Sequence, residues 1–169
     1  MALAHVELVL AAIDAYNRRD VEALSALMVP DVELRPPVMA LSGRAYRGHA
    51  GVHKWLADVE ESWSTARIHP SDVTEAGDCV LALTTFRVEG GESRLRFESE
   101  LGLLCSIRDD LIASWHGHFN HAAARAEAAE AAQSSSSTSD SGPSDSDSGT
   151  TGGGGGRNRS SARPSSSSP

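Results

Sequence analysis

The chain has 169 residues, which is enough for one ordinary domain with a buried core. Its net charge of −8 falls entirely on residues 1–133, because the three aspartates and three arginines of residues 134–169 cancel. An acidic domain repels phosphate backbones and anionic lipid, so the composition disfavours nucleic-acid and membrane partners.

The composition changes sharply along the chain. Residues 1–133 predict a single folded domain, whereas residues 134–169 are dominated by Ser and Gly and predict a disordered tail. Cys79 and Cys105 lie in separate apolar segments, which predicts buried free thiols. No apolar run reaches the length of a membrane span and no basic leader precedes the first helix, so the expected location is cytoplasmic.

The first third of the chain predicts three helices. The first has apolar residues at helical spacing, namely Val6, Val9, Leu10, Ile13 and Tyr16. Asp20 is placed to cap a second helix, which we expect Pro30 to end. A strand over 32–34 should stop at Pro36, and Gly43 and Gly48 bracket a second short strand. The third helix follows, with a buried stripe of Val52, Leu56, Val59 and Trp63.

Strand patterns fill the rest of the predicted domain. They cover residues 68–73, 80–88, 95–107 and 111–119, and the turns between them are too short for crossover helices. Asn120 can cap a final Ala-rich helix that ends near Gln133. The pattern therefore predicts an α+β fold with a mostly antiparallel sheet. Alternation places His116 and His118 away from the core, together with Ile112.

Several short motifs in this order resemble one family. They are Asn17-x-x-Asp20, Pro30-Asp31-Val32, Tyr46-Arg47-Gly48-His49-x-Gly51, Trp55-Leu56, Gly77-Asp78 and the closing segment 112–120. Their succession is similar to SnoaL-like proteins of the nuclear transport factor 2-like superfamily. The resemblance implies a cone-shaped fold, with a curved sheet wrapped around three N-terminal helices and a short C-terminal helix. It also implies an apolar pocket for a small molecule and a homodimer formed through the outer face of the sheet.

The superfamily includes polyketide cyclases, ketosteroid isomerase, limonene epoxide hydrolase and scytalone dehydratase, and their catalytic residues do not carry over. Where the resemblance would place the isomerase's groups, this chain has Arg35 for the general base, Ala12 for the tyrosine and Leu103 for the second aspartate. The hydrolase's groups fall on Thr84, Phe86 and Gly117. Asn120 stands where many relatives have an acidic residue. Those mechanisms cannot operate unchanged without their carboxylates.

Other side chains remain as site candidates. We predict that five aromatic residues contact a ligand: Tyr16, Trp55, Phe97, Trp115 and Phe119. Three residues are candidates for catalysis. Tyr16 could donate a hydrogen bond to a carbonyl, Arg35 could hold an anion or pair with Glu33 or Asp31 at the surface, and His53 could lie at the pocket mouth or be an exposed helix histidine.

Histidine spacing raises the question of a metal. His116, His118 and His121, or His49 with His53, could offer imidazole ligands. Because alternation turns His116 and His118 away from the pocket, we favour a polar outer face or dimer seam and expect neither metal nor cofactor.

Three functions follow from these observations. The first is a domain that binds a small apolar molecule, with or without turnover. The second is an isomerase-, cyclase- or dehydratase-type enzyme that uses Tyr16 with His53 or Arg35. The third is a structural dimerisation module.

Overall fold

The computed structural model describes residues 4–92 and 94–136, apart from the side chains of residues 40, 135 and 136. In chain order the elements are α1 (His5–Asn17), α2 (Val21–Ala26), β1 (Met28–Arg35), α3 (Pro37–Ala40), β2 (Tyr46–Arg47), α4 (Gly48–Ser62), β3 (Thr65–Ala76), β4 (Cys79–Glu89), β5 (Arg96–Arg108), β6 (Leu111–His118) and α5 (His121–Ser136). The predicted α+β class is confirmed. Helix α5 extends to Ser136, so the first three residues of the predicted tail are helical. The rest of the predicted tail, residues 137–169, lies outside the described residues.

Six strands form one curved sheet in the order β2-β1-β6-β5-β4-β3. All neighbouring pairs are antiparallel except β1 and β6, which are parallel. The hairpin turns use backbone conformations with positive φ, at Gly77 (64°) and at Asp109 and Asp110 (53° and 60°). Glycine and aspartate tolerate this region better than most residues, so the turn predictions from Gly77-Asp78 and Asp109-Asp110 have a direct conformational cause.

The inner face of the sheet packs against α1, α2 and α4, and this layer contains the main core. The side chain of Asp20 accepts a hydrogen bond from the Ala23 N–H (3.0 Å), so the predicted cap of α2 is confirmed. Asn17, at the end of α1, donates to the Ile68 carbonyl (2.7 Å) and accepts from the Ile68 N–H (2.8 Å). Since β3 is an edge strand, this amide satisfies two of its open backbone groups and fixes α1 against it.

Pro30 does not end α2, contrary to the prediction. The helix stops at Ala26 and β1 begins at Met28, so Pro30 and Asp31 lie within the strand. They are exposed, and the pairing of β1 with β6 shifts register between Met28 and Glu33. A strand tolerates proline at such an irregularity because no ladder hydrogen bond is needed there.

One further helical element was not predicted. After β1 ends at Arg35, Pro37–Ala40 forms the single turn of α3, so four helices precede β3 instead of three. Proline at the start of a helix costs little because the first N–H has no intrahelical partner. The turn places Pro37 over Gly117 of β6, where an added Cβ would lie 2.6 Å from the proline ring.

A β-bulge places Ile112 on the inner face of the sheet, opposite to the predicted side. Between the Ser106–Ser114 and Ile107–Ile112 pairs the register shifts, so one extra residue lies on β6 at Ala113. Ile112 is fully buried in the main core, not turned outward as strict alternation predicted. A bulge reverses the facing of every residue beyond it, and sequence alternation alone does not show where it falls.

Helix α5 lies on the outer face of the sheet, across β4 and β5. There Ala124 and Ala128 pack on Leu81, Leu83 and Leu104 as a second, separate apolar cluster. Gly102 permits this approach, because a Cβ on it would lie 2.2 Å from the Ala124 methyl carbon. The face that the resemblance assigns to a dimer partner is therefore partly covered by the chain's own last helix.

Candidate functional site

An apolar cavity of about 130 Å³ opens between the inner face of the sheet and the helices. Its floor is formed by large side chains that are almost fully buried: Tyr16, Trp55, Ile68, Leu103 and Trp115. The rings of Tyr16 and Trp55 lie 5.1 Å apart and those of Trp55 and Trp115 5.9 Å apart, all in tilted arrangements. Aromatic rings in such contacts hold one another rigid. The floor is therefore a preformed apolar surface.

The mouth of the cavity is also apolar but is exposed to solvent. Val38 of α3 is 72% exposed, Phe119 after β6 is 50% exposed and Trp63 after α4 is 37% exposed, and all three line the opening. Large apolar side chains left open around a cavity are typical of a binding site. All three tryptophans of the chain, Trp55, Trp63 and Trp115, thus contact one cavity.

Tyr16 has the one hydroxyl among the residues named as the floor. Burial raises the pKa of its phenol, and the positive charge of Arg19 and a hydrogen bond from it oppose this effect only in part. The Arg19 guanidinium lies 4.7 Å from the centre of the Tyr16 ring and donates to the carbonyls of Tyr16 (3.0 Å) and Ala66 (2.6 Å). Tyr16 therefore stays a neutral phenol at physiological pH, and a phenol can donate a hydrogen bond.

Four of the five predicted ligand contacts line this cavity: Tyr16, Trp55, Trp115 and Phe119. The fifth, Phe97, has the same parity on β5 as the cavity residues Ser99 and Leu101, but it lies further along the strand, opposite Val88, and is 56% exposed. Phe97 is therefore not part of the cavity lining, although its side chain is on the same face of β5 as the residues that are.

The structure does not bring Arg35 or His53 to Tyr16. Nε of Arg35 pairs with Oε1 of Glu33 at 2.8 Å on the outer surface, as the surface alternative predicted. His53 is a half-exposed helix residue whose Nε2 lies 3.6 Å from Oε1 of Glu22. Neither residue is part of the cavity lining. Of the three catalytic candidates, only Tyr16 contacts the cavity.

Glu100 reaches the cavity edge from β5, but its carboxylate is engaged elsewhere. Oε2 accepts a hydrogen bond from the His121 N–H at 3.1 Å, at the start of α5. Glu100 has the parity of Gly102 and Leu104, which face α5 on the outer side of the sheet. Strand alternation thus directs the carboxylate away from the cavity, and no residue described as lining it presents a carboxylate base to its interior.

Sequence reasoning missed the α3 part of the site. Pro36, Pro37 and Val38 line the cavity, although the sequence suggested only a strand end at the two prolines. The available signal was the Pro-Pro pair followed by exposed apolar residues, a pattern that marks a helix start as readily as a strand end. Trp63 was assigned to the core of α4 but lies at the mouth, because the helix ends at Ser62.

The histidines on β6 meet carboxylates on the outer face. Nδ1 of His116 lies 3.2 Å from Oε1 of Glu127, and His118 contacts the other oxygen of the same carboxylate. Nε2 of His116 lies 3.5 Å from Oε1 of Glu33. Within the described residues, no three His, Cys, Asp or Glu side chains are arranged to hold a metal ion. Nor does any described helix combine the length and apolarity needed to cross a membrane.

A curved sheet closed by helices around an apolar cavity defines a nuclear transport factor 2-like fold, and this class is shown by several solved structures. TerC, co-crystallised with polyporic acid, is 27% identical with a TM-score of 0.61, and the match covers 75% of this chain and 98% of TerC. An NTF2-like protein of unknown function from Burkholderia pseudomallei is 22% identical with a TM-score of 0.62, and the match covers 72% of this chain and 95% of that one.

A third similar structure is a protein with a ketosteroid isomerase-like fold from Catenulispora acidiphila, in complex with trimethylamine. It is 18% identical with a TM-score of 0.62, and the match covers 74% of this chain and 94% of that one. No curated protein shows significant sequence similarity. The model of the SnoaL-like domain matches residues 9–115, more than half of the chain. The chain belongs to the SnoaL-like domain family, as the resemblance of its motifs indicated.

Proposed function

We propose that this protein binds a small, neutral, largely apolar molecule in the cavity between the sheet and the helices. The observation that carries the proposal is the aromatic floor of Tyr16, Trp55 and Trp115 beneath an open apolar mouth. Burying apolar ligand surface there contributes about 25 cal/mol per Å². No charged side chain lies in the floor, so an ionic ligand would lose its hydration without compensation.

The size of the cavity limits what can enter it. A cavity of about 150 Å³ can hold a benzene ring, and the cavity here has about 130 Å³. One ring or a short branched chain therefore fits the floor, and any remainder of the ligand would lie against Val38, Trp63 and Phe119 at the mouth. The Tyr16 phenol could donate a hydrogen bond to a ligand carbonyl.

Binding is favoured over turnover because no described residue of the cavity lining directs a carboxylate or imidazole base into the interior. Proton abstraction needs a base within hydrogen-bond reach of the substrate. Arg35 and His53 lie outside the cavity, and the Glu100 carboxylate is directed to α5. The enzyme hypothesis that combined Tyr16 with one of these groups therefore finds no support in the geometry, and we place binding first.

Intrinsic tryptophan fluorescence tests the proposal directly, because all three tryptophans line the cavity. Titration with a series of phenyl alkyl ketones should change the emission in a saturable way. Affinity should rise about fourfold for each added CH₂ that becomes buried. A series that leaves the emission unchanged at every concentration would contradict the proposal.

Two variants sharpen the experiment. Leu103→Trp fills the floor and should abolish binding, provided that circular dichroism and a cooperative melt show that it folds. Phe97→Ser is the matched control, because it also changes an apolar residue of β5 but lies outside the cavity. Its affinity should equal that of the unchanged protein. Loss of binding in Phe97→Ser would instead place Phe97 at the site, as the sequence predicted.

A further inference from the structure

A second concavity lies on another face of α4. Trp55 and Val59 of this helix line the apolar cavity, whereas Ala50 and Lys54 line a groove of about 610 Å³, together with residues 44–47 before and within β2. We call this concavity the basic groove. It shares no lining residue with the apolar cavity, and its volume is within the range of small-molecule sites. The fold therefore offers a second place where a ligand can bind.

The charged side chains that line the basic groove are mostly cationic. Three of them, Arg44, Arg47 and Lys54, carry a positive charge, and Asp58 carries the one negative charge. The chain as a whole has a net charge of −8, so the groove has the opposite sign to the rest of the molecule. Positive charge gathered in a concave surface raises the local concentration of anions. The groove is therefore suited to a small anionic ligand.

The carboxylate of Asp58 is already engaged within the groove. Nζ of Lys54 donates to its two oxygens at 3.1 and 3.2 Å, and the Tyr46 hydroxyl donates to Oδ2 at 2.7 Å. Gly51 permits the close approach of β2 to α4, because an added Cβ would lie 3.1 Å from the Cβ of Tyr46. The charges of Lys54 and Asp58 therefore compensate each other, and this wall of the groove is preformed.

The two arginines retain positive charge for a ligand. Arg44 is exposed, and its guanidinium makes no hydrogen bond or ion pair within the described residues. Nη1 of Arg47 pairs with Oε2 of Glu33 at 2.8 Å, but the same carboxylate also pairs with Nε of Arg35 at 2.8 Å. One carboxylate cannot neutralise two guanidinium groups. The Arg47 side chain is 72% exposed, so a ligand in the groove can reach it.

We propose that the basic groove binds a phosphate group, free or as the ester of a small molecule, through Arg44 and Arg47. Guanidinium groups donate paired hydrogen bonds to phosphate oxygens, and a doubly charged phosphate matches two arginines better than a single carboxylate does. The Tyr46 ring lines the same groove and offers an apolar surface to the organic part of an ester. A long nucleic acid is disfavoured, because the net charge of −8 repels it.

Isothermal titration calorimetry of the full chain with phenyl phosphate, in a buffer without phosphate, tests the proposal. We expect saturable binding of one molecule per chain, which weakens as salt increases. Inorganic phosphate is titrated in parallel. Tighter binding of phenyl phosphate would identify a phosphate ester as the ligand, and equal binding would identify free phosphate. Benzoate has the same ring but a single charge, and it should bind more weakly than phenyl phosphate.

Three variants assign the binding to the arginines of the groove. Arg44→Gln removes an exposed charge whose guanidinium makes no contact in the fold, so it should fold normally and bind phenyl phosphate about tenfold more weakly. Arg44→Gln with Arg47→Gln should lower the affinity about 100-fold. Arg125→Gln is the matched control, because it removes the same charge from an exposed arginine of α5 outside the groove. Its affinity should equal that of the unchanged protein.

Leu103→Trp separates the basic groove from the apolar cavity. It fills the cavity floor, so a folded Leu103→Trp should lose the phenyl ketone and still bind phenyl phosphate. Loss of phenyl phosphate as well would overturn the proposal, because the phosphate ester would then occupy the cavity. The absence of saturable binding by either phosphate probe would also overturn it. So would equal losses in Arg44→Gln and Arg125→Gln, or equal affinities for benzoate and phenyl phosphate.

Discussion

Tyr16 combines a buried ring that lines the cavity with a phenol hydroxyl, and both groups bear on the ligand proposed above. The ring packs on Trp55 at 5.1 Å, and burial keeps the phenol protonated. Replacing it by phenylalanine removes one hydroxyl and retains the ring. The substitution therefore tests the polar part of the proposed binding separately from the apolar part.

For Tyr16→Phe we expect the affinity for a phenyl ketone to fall about five- to tenfold, the value of one hydrogen bond. The affinity for the hydrocarbon of the same shape should stay unchanged. Fluorescence titration of both ligands measures the difference. An equal loss for ketone and hydrocarbon would mean that the substitution changes the packing of the floor instead.

The two tyrosines of the chain also predict a pH dependence. Burial raises the pKa of Tyr16, and burial with the hydrogen bond to Asp58 (2.7 Å) raises the pKa of Tyr46 to about 12. The folded state thus keeps its phenol protons at a pH where the unfolded chain releases them. The resulting stability is fully present below about pH 10, the ordinary value, and is lost as pH rises through the folded pKa of each tyrosine.

The absorbance of the phenolate band should show that neither tyrosine of the folded protein titrates near pH 10, the ordinary pKa of tyrosine. In Tyr46→Phe only Tyr16 remains to titrate, and its pKa should still lie above the ordinary pKa of tyrosine. A midpoint at the ordinary value in this variant would show that water reaches the Tyr16 phenol.

At the scale of elements, the side chain of Asn17 links the end of α1 to the edge strand β3. The amide of Asn17 makes two hydrogen bonds to the backbone of Ile68, and its geometry copies that of a neighbouring strand. This accounts physically for the Asn17-x-x-Asp20 motif, in which Asn17 fixes β3 and Asp20 caps α2. The motif is a structural device and lies outside the cavity lining.

Asn17→Ala leaves both Ile68 backbone groups without this partner, so we expect a loss of about 1–3 kcal/mol in the free energy of unfolding. Asn17→Asp retains the acceptor for the Ile68 N–H but places a carboxylate oxygen against the Ile68 carbonyl, so it should also lose stability. Urea denaturation followed by circular dichroism gives both values. Equal stability of Asn17→Ala and the unchanged protein would contradict this role.

The close packing of α5 on Gly102 of β5 predicts a pair of compensating substitutions. Gly102→Ala places a methyl group 2.2 Å from the Ala124 methyl carbon, which α5 can relieve only by moving off the sheet. Cys79 packs beside the cluster of Ala124 and Ala128 and is half-buried. We expect a thiol reagent to label Cys79 faster in Gly102→Ala, and protection to return in part in Gly102→Ala with Ala124→Gly. Unchanged labelling in the single variant would show that α5 is not held at this distance.

At the scale of the whole molecule, the homodimer implied by the resemblance stays a prediction. Helix α5 covers part of the outer sheet face, and the open part carries the exposed charges of Arg67, Arg87 and Glu98. A dimer on this face would pair such charges, so it should weaken as salt increases. Sedimentation equilibrium should show a dimer for the unchanged protein and dissociation for Arg87→Glu. A monomer at all concentrations would contradict the dimer.

Local physical rules explain why much of the fold could be predicted. Asp20, Asn120 and Gly77 act through contacts within a few residues, and Asn120 accepts from the Ala123 N–H at 2.7 Å as the cap prediction required. Leu101 and Leu103 are both buried on the same face of β5, as residues two apart on a strand should be. The prediction failed where one residue shifts a register, at Pro30 in β1 and at Ala113 in β6.

The sequence by itself determined the α+β class, the helix caps and the strand order along the chain, because each depends on local conformation or on periodicity. Only the tertiary structure decided that Tyr16, Trp55, Trp115 and Phe119 share a cavity that excludes Phe97, Arg35 and His53. It also decided that α5 covers part of the outer face, with Ala124 and Ala128 packed on Leu81, Leu83 and Leu104. The physical reason is that sheet curvature and two register shifts set which distant side chains meet, and neither leaves a local pattern.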